Sequence, residues 1–176
     1  MTPHIVCIVG KKKSGKTTFI EKLLRELRSM GVSVGTVKHD AHSFEMDHEG
    51  KDSWRHRRAG AETVVVSSPG QVAVIKEVKR EMTLSELAET FFGDRQLVIA
   101  EGYFRTEHPK VEIFRTQAHD LPLCDKGNEE ERNLLAMVTD DPVDTTCPVF
   151  GLDDSVEVAA LLARRYLGWV RNGMWA

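Results

Sequence analysis

One run carries the densest chemistry in the chain: Gly10-Lys11-Lys12-Lys13-Ser14-Gly15-Lys16-Thr17. It fits G-x-x-x-x-G-K-[ST], a loop whose backbone N–H groups cradle phosphates. Gly10 and Gly15 let the backbone curl close to an anion where a Cβ would clash. Lys16 predicts a compact charge on the β- and γ-phosphates, and Thr17 a hydroxyl on Mg²⁺. Lys11, Lys12, Lys13, Ser14 and Thr18 complete the expected nucleotide-binding set. A basic, glycine-containing turn is the plainer alternative.

Other candidates lie downstream. Glu101 ends the run Gln96-Leu97-Val98-Ile99-Ala100, apolar from Leu97 on. An acidic residue there assists Mg²⁺ beside the loop threonine, a place more often held by aspartate. Asp140 and Asp141 follow the apolar run Leu134–Val138. Either could accept bonds from a nucleobase edge, although no N-K-x-D stands here, and an Asp-Asp-Pro turn cap is the alternative. Asp47, or alternatively Asp52, is a third metal or water-positioning candidate, beside Thr17 and Glu101. Asp47 sits in the polar stretch Ala41–Lys51, which reads either as a loop that γ-phosphate and Mg²⁺ could order or, with His39, His42 and His48, as a metal-binding segment. Arg55, Arg57 and Arg58 fit an anion clamp or an arginine finger, or simply a solvated basic helix.

These residues need a scaffold. Ile5–Val9 predicts a buried strand before the loop. Phe19, Ile20, Leu23, Leu24, Leu27 and Met30 mark one face of a helix after it, with Gly31 as its stop. Strand–loop–helix aims a helix N-terminus at an anion. Val32–Val37 reads as the next strand, and it delivers Lys38, His39 and Asp40 at its carboxyl end, where open α/β sheets bind ligands. Asp52-Ser53 is expected to cap a short helix through Ala59, closed by Gly60. Thr63–Ser67 and Gln71–Val78 read as strands around a Ser68-Pro69-Gly70 turn, the second a possible edge strand used for pairing between subunits. Thr83–Glu86 forms a capping-box pattern before a helix stopped by Gly93. Val111–Arg115 alternates as a strand, His119–Arg132 reads as a loop, and Pro148–Phe150 as the last strand. Asp153-Asp154-Ser155 is expected to cap a final helix, with Trp169 and Trp175 as core or interface aromatics. The sum is an α/β fold of the P-loop type, a three-layer sandwich with a mostly parallel central sheet, in a single domain over 1–176.

The 176 residues are enough to bury a full core. A net charge of −3 with 29% charged residues gives no support for a nucleic-acid or membrane partner. No stretch is long and apolar enough to cross a membrane. The first strand begins so early that no signal peptide is expected, and Cys7, Cys124 and Cys147 read as reduced thiols of a cytoplasmic protein.

In combination, Gly10–Thr18, Gly35-Thr36-Val37-Lys38-His39, Gly50-Lys51-Asp52-Ser53 with Arg58-Ala59-Gly60-Ala61, Val98–Tyr103 and His108-Pro109-Lys110-Val111 resemble the molybdopterin-guanine dinucleotide biosynthesis adapter (MobB) family over nearly the whole chain. Lys11 also resembles the extra lysine of a loop variant in dimeric P-loop proteins, which reaches a nucleotide across a subunit interface. The family resemblance implies a GTP-binding homodimer with weak GTPase activity. It further implies GTP and Mg²⁺ as ligands, and a role beside the guanylyltransferase MobA, which joins GMP to molybdopterin. A small-molecule or nucleotide kinase is the alternative, with the arginines of 55–58 as a lid. A metal chaperone built on His39, His42 and His48 is a third reading.

Overall fold

The computed structural model describes residues 2–40, 44–124, 133–170 and 174–175. In chain order the elements are β1 (His4–Val9), α1 (Lys16–Ser29), β2 (Val34–Lys38), α2 (Asp52–Arg58), β3 (Thr63–Ser68), β4 (Gln71–Lys76), α3 (Leu84–Phe91), β5 (Leu97–Glu101), β6 (Lys110–Ile113), β7 (Leu134–Val138), β8 (Val149–Phe150), α4 (Ser155–Leu167), β9 (Trp169–Val170) and β10 (Met174–Trp175). They divide into two compact units, Met1–His39 with Leu84–Ala176, and Asp40–Thr83.

The first unit holds a six-stranded sheet in the order β2-β5-β1-β6-β7-β8, with every neighbouring pair parallel. Parallel strands buried on both faces read as unbroken apolar runs, which is how β1 and β5 appear in the sequence. On one face Val6, Ile8, Leu97 and Ile99 pack with Phe19, Leu23 and Leu27 of α1 and with Val158 and Leu162 of α4. On the other, Ile5, Cys7, Val9, Val98 and Ala100 pack with Leu84 and Ala88 of α3. The expected three layers are therefore present. Leu23 and Leu27 are fully buried, and each contributes about 2 kcal/mol of apolar burial.

Strand β6 departs from a simple reading of its alternation. Val111 and Ile113 join the α1–α4 core, but Lys110 and Glu112, on the opposite face, are buried too. Glu112 accepts the N–H groups of Leu123 and Cys124 at 2.6 and 2.8 Å. Lys110 Nζ donates to the carbonyls of Thr106 at 2.7 Å and His108 at 3.4 Å. A buried charge is tolerated when its hydrogen bonds are met, and both groups meet them through loop backbone. The cysteines are free thiols; burial pushes those of Cys7 and Cys124 up.

In the second unit β3 and β4 form an antiparallel hairpin of their own, registered from Thr63↔Lys76 to Ser68↔Gln71 around Pro69-Gly70. Neither strand joins the central sheet. α2 packs against β3, where Val64 is buried. The opposite face of the hairpin carries Val65, Val72 and Val74, which are 56, 62 and 45% exposed.

Several local expectations shift. β2 begins at Val34 and includes Lys38, later than the Val32 start read from composition. Asp52 is the first residue of α2 and does not cap it; Ser53 Oγ instead donates to Asp47 Oδ1 at 2.9 Å. Asp154 stands at the N-cap of α4, yet its carboxylate turns back to accept Gly151 N–H at 2.7 Å. At Asp154 a tight loop takes the short acceptor that a cap would use. Residues 125–132 of the expected loop lie outside the described residues, as does the side chain of Trp175. Trp169 is half-buried in β9, which pairs antiparallel with β10.

Candidate nucleotide-binding site

The glycine-rich loop links the carboxyl end of β1 to the first residue of α1. Gly10 takes φ 142°, Lys13 takes φ 67° and Gly15 takes φ 94°. Lys13 is a non-glycine residue in the left-handed region, a strain of about 1 kcal/mol or more that the surrounding loop must hold. A Cβ on Gly10 would collide with the carbonyl oxygen of Ile113 and lie 2.7 Å from Ser14 Oγ. Ser14 is buried, and its Oγ has no protein partner. An orphaned hydroxyl in a curled loop at a helix N-terminus suits an anion that brings its own acceptors.

Lys16 Nζ donates to the carbonyls of Gly10 at 2.8 Å and Lys11 at 2.9 Å, so its ammonium is held against the rim of the loop. Burial lowers its pKa; Glu101 pulls the other way, and Lys38 adds to the lowering. Thr17 Oγ1 donates to Glu101 Oε1 at 3.1 Å. Glu101 is fixed by the turn behind it. Gly102 (φ 92°) and Tyr103 (φ 57°) reverse the chain, Gly102 N–H donates to Ile8 O, and His39 N–H donates to Glu101 O, both at 3.0 Å. The His39 and Tyr103 rings lie 4.9 Å apart. A hydroxyl and a carboxylate at one point form a donor set suited to Mg²⁺.

The far side of the loop is built from residues of which only Asp141 is a candidate from the sequence. Arg115, two residues beyond the end of β6, places Nη1 3.9 Å from where a Cβ on Gly15 would stand. Thr116 donates to Asp141 through its N–H and its hydroxyl, each at 2.7 Å. These bonds, with Arg115 nearby, hold the Asp141 carboxyl below the usual range. His119 Nε2 donates to Lys12 O at 2.6 Å. A cleft of about 380 Å³ lies between Lys11 and the segment Thr116–Leu121. The rule that placed Lys38 and Glu101 at strand ends applies equally to Arg115 and was the available signal.

The two adjacent aspartates separate cleanly. The Asp141 carboxylate is taken up by Thr116, 25 residues away, and not by its own Asp-Asp-Pro turn. Asp140 is exposed and accepts Leu152 N–H at 3.0 Å, at the mouth of β8. Thr17 and Glu101 are brought together with Lys16. Asp47 belongs to the second unit, where Oδ1 accepts His48 N–H at 3.0 Å as well as Ser53 Oγ. Of the histidine set, His39 and His48 fall in different units and His42 lies outside the described residues. Among the described residues no group of three or more His, Cys, Asp or Glu side chains could hold a metal ion. In the second unit a groove of about 560 Å³ runs along Trp54, Arg55 and Arg58, with the Arg58 guanidinium 5.2 Å from the Trp54 ring centre.

Residues 5–140 match the family model described as molybdopterin guanine dinucleotide synthesis protein B, MobB. The chain is 36% identical over 140 residues to a molybdopterin-guanine dinucleotide biosynthesis adapter protein of Haemophilus influenzae, covering 78% of this chain and 75% of that one. It is 32% identical over 167 residues to a probable adapter protein of the same description from Bacillus subtilis, covering 91% and 92%. The crystal structure of Bacillus subtilis MobB superposes with a TM-score of 0.71 at 29% identity, over 92% of this chain and 97% of that one.

Proposed function

Because the chain belongs to the MobB family of molybdopterin guanine dinucleotide synthesis proteins, we propose that it is a GTP-binding adapter with weak GTPase activity that assists attachment of GMP to molybdopterin. The observation that carries this reading is the convergence of Lys16, Thr17 and Glu101 on a glycine-rich loop with an orphaned buried hydroxyl. Gly10–Thr18 hold the phosphates, Thr17 and Glu101 hold Mg²⁺, and Asp140 faces the nucleobase. No committed general base stands beside the loop among these residues, which fits slow hydrolysis better than fast turnover.

The whole chain acts as one nucleotide-binding domain in the cytoplasm, with Asp40–Thr83 inserted in sequence between β2 and α3. It works as a homodimer beside the guanylyltransferase that consumes GTP and molybdopterin, with Lys11 reaching towards the partner's nucleotide. The exposed valine face of the β3–β4 hairpin supports self-association.

The deciding experiment is a titration of GTP, GDP and ATP with and without Mg²⁺, on wild-type protein and Lys16→Ala. GTP preference lost in the variant supports the adapter reading. ATP preference together with phosphoryl transfer to an acceptor supports a kinase instead. Asp47→Asn in the same titration tests a remaining metal candidate.

A further inference from the structure

The sheet order sorts the residues that leave the carboxyl ends of its strands. Glu101, after β5, meets Thr17 on one side of the phosphate loop. Arg115 after β6, Asp140 after β7 and Gly151 after β8 stand on the other. Ligands of open parallel sheets lie in the crevice outside these ends. A nucleotide whose terminal phosphates and metal sit between Lys16 and Glu101 therefore runs its sugar and base across the ends of β6 to β8.

Arg115 is the first side chain on that path. Its Nη1 and Cδ lie 3.9 and 4.0 Å from the Cβ position of Gly15, the N-cap of α1. It is half-buried, and its Nη2 donates to Gln117 Oε1 at 3.3 Å. The segment that carries it is pinned three times. Asp141 clamps Thr116, Lys12 O receives His119, and the buried Glu112 receives Leu123 and Cys124. The guanidinium is thus presented from a fixed arch beside the phosphate loop.

We propose that Arg115 is the floor of the nucleoside half of the site, its guanidinium plane stacking on the sugar–base portion of a bound purine nucleotide. A planar, weakly hydrated cation suits a nucleobase face as an ammonium does not. The role makes the site selective for nucleoside polyphosphates over bare polyphosphate. It rests on the nucleotide-binding reading and adds to it a residue outside the glycine-rich motif.

The test measures the affinity of the full chain for GDP and for inorganic tripolyphosphate, in wild type, Arg115→Ala and Arg115→Lys. In Arg115→Ala, GDP affinity falls about tenfold while tripolyphosphate affinity changes by less than about twofold. Arg115→Lys keeps the charge, loses the plane and follows the alanine variant. If Arg115→Ala fails to fold, the lysine variant carries the same comparison. Unchanged GDP affinity in Arg115→Ala, equal losses for both ligands, or wild-type GDP affinity in Arg115→Lys would overturn the assignment and leave the phosphate-loop reading standing. Wild-type protein that binds neither ligand would overturn both.

Discussion

Thr17 and Glu101 stand 84 positions apart in the chain and meet through a 3.1 Å hydrogen bond from the threonine hydroxyl to the carboxylate. The parallel pairing of β1 with β5 brings them together, because Ile8 is in register with Glu101 and α1 starts a short loop beyond β1. Glu101→Gln keeps the shape and removes the charge. Its GTP affinity without Mg²⁺ should match wild type, while the gain on adding Mg²⁺ falls at least about tenfold. Paired titrations with and without the metal measure this. An intact Mg²⁺ gain in the variant would take Glu101 out of the metal shell.

Gly10→Ala tests the loop itself. The added methyl meets the Ile113 carbonyl and Ser14 Oγ, and the positive φ of Gly10 is one that alanine adopts only with strain. The fold should lose about 2 kcal/mol or more, since neither a backbone carbonyl nor a buried serine can move aside cheaply. Nucleotide binding should disappear even where the variant remains folded. Urea unfolding and a binding titration on the same sample separate the two effects.

The core of this design was legible in the sequence because local pattern and global burial agree there. Ile5–Val9, the glycine spacing and the stripe Phe19–Leu27 specify β1, the loop and α1 without knowledge of the rest. The β3 and β4 strands are legible as strands, and the second as a possible edge strand, but not their pairing as a sheet of their own. Valine-rich runs look alike whether they lie inside a sheet or stand as a separate, largely exposed ribbon. Arg115 escaped notice because its place beside Gly15 depends on the order β1-β6, a long-range fact. Asp140 and Asp141 were indistinguishable until Thr116 was seen to occupy one of them.

Asp141 should show itself in acid. Hydrogen bonds from Thr116 hold its carboxyl below the ordinary range in the folded chain. A depressed folded value means that the charged form stabilises the fold above the unfolded-state pKa, and that this contribution fades as pH falls through the folded value. Wild type should therefore be more stable than Asp141→Asn near neutral pH, with the two converging in strong acid. The urea midpoint followed against pH reads this directly; a constant gap across the range would mean that the carboxylate charge contributes nothing.

The valine face makes a prediction about assembly. Val65 and Val74 are cross-strand partners on the exposed side of the hairpin. Val65→Lys with Val74→Lys places two like charges opposite each other on that face and removes its apolar character. Sedimentation velocity should show wild-type protein as a dimer and the double variant as a monomer with unchanged circular dichroism. A double variant that sediments as wild type would place the subunit contact elsewhere.

Glu112 governs the arch that presents Arg115 and His119. It is 1% exposed, and its two oxygens each take one backbone N–H, from Leu123 and Cys124. Glu112→Ala leaves both donors buried and opens a void beneath them, which should cost about 3 kcal/mol or more in chemical unfolding. Glu112→Gln retains one carbonyl acceptor but turns an NH₂ group towards the second donor, so it should lie between wild type and alanine. Because the arch also meets the phosphate loop through His119 and Lys12, GDP affinity should weaken in the same order as stability. If the glutamine variant lost stability but bound GDP as tightly as wild type, the arch would be a structural clamp alone, without influence on the shape of the nucleotide site.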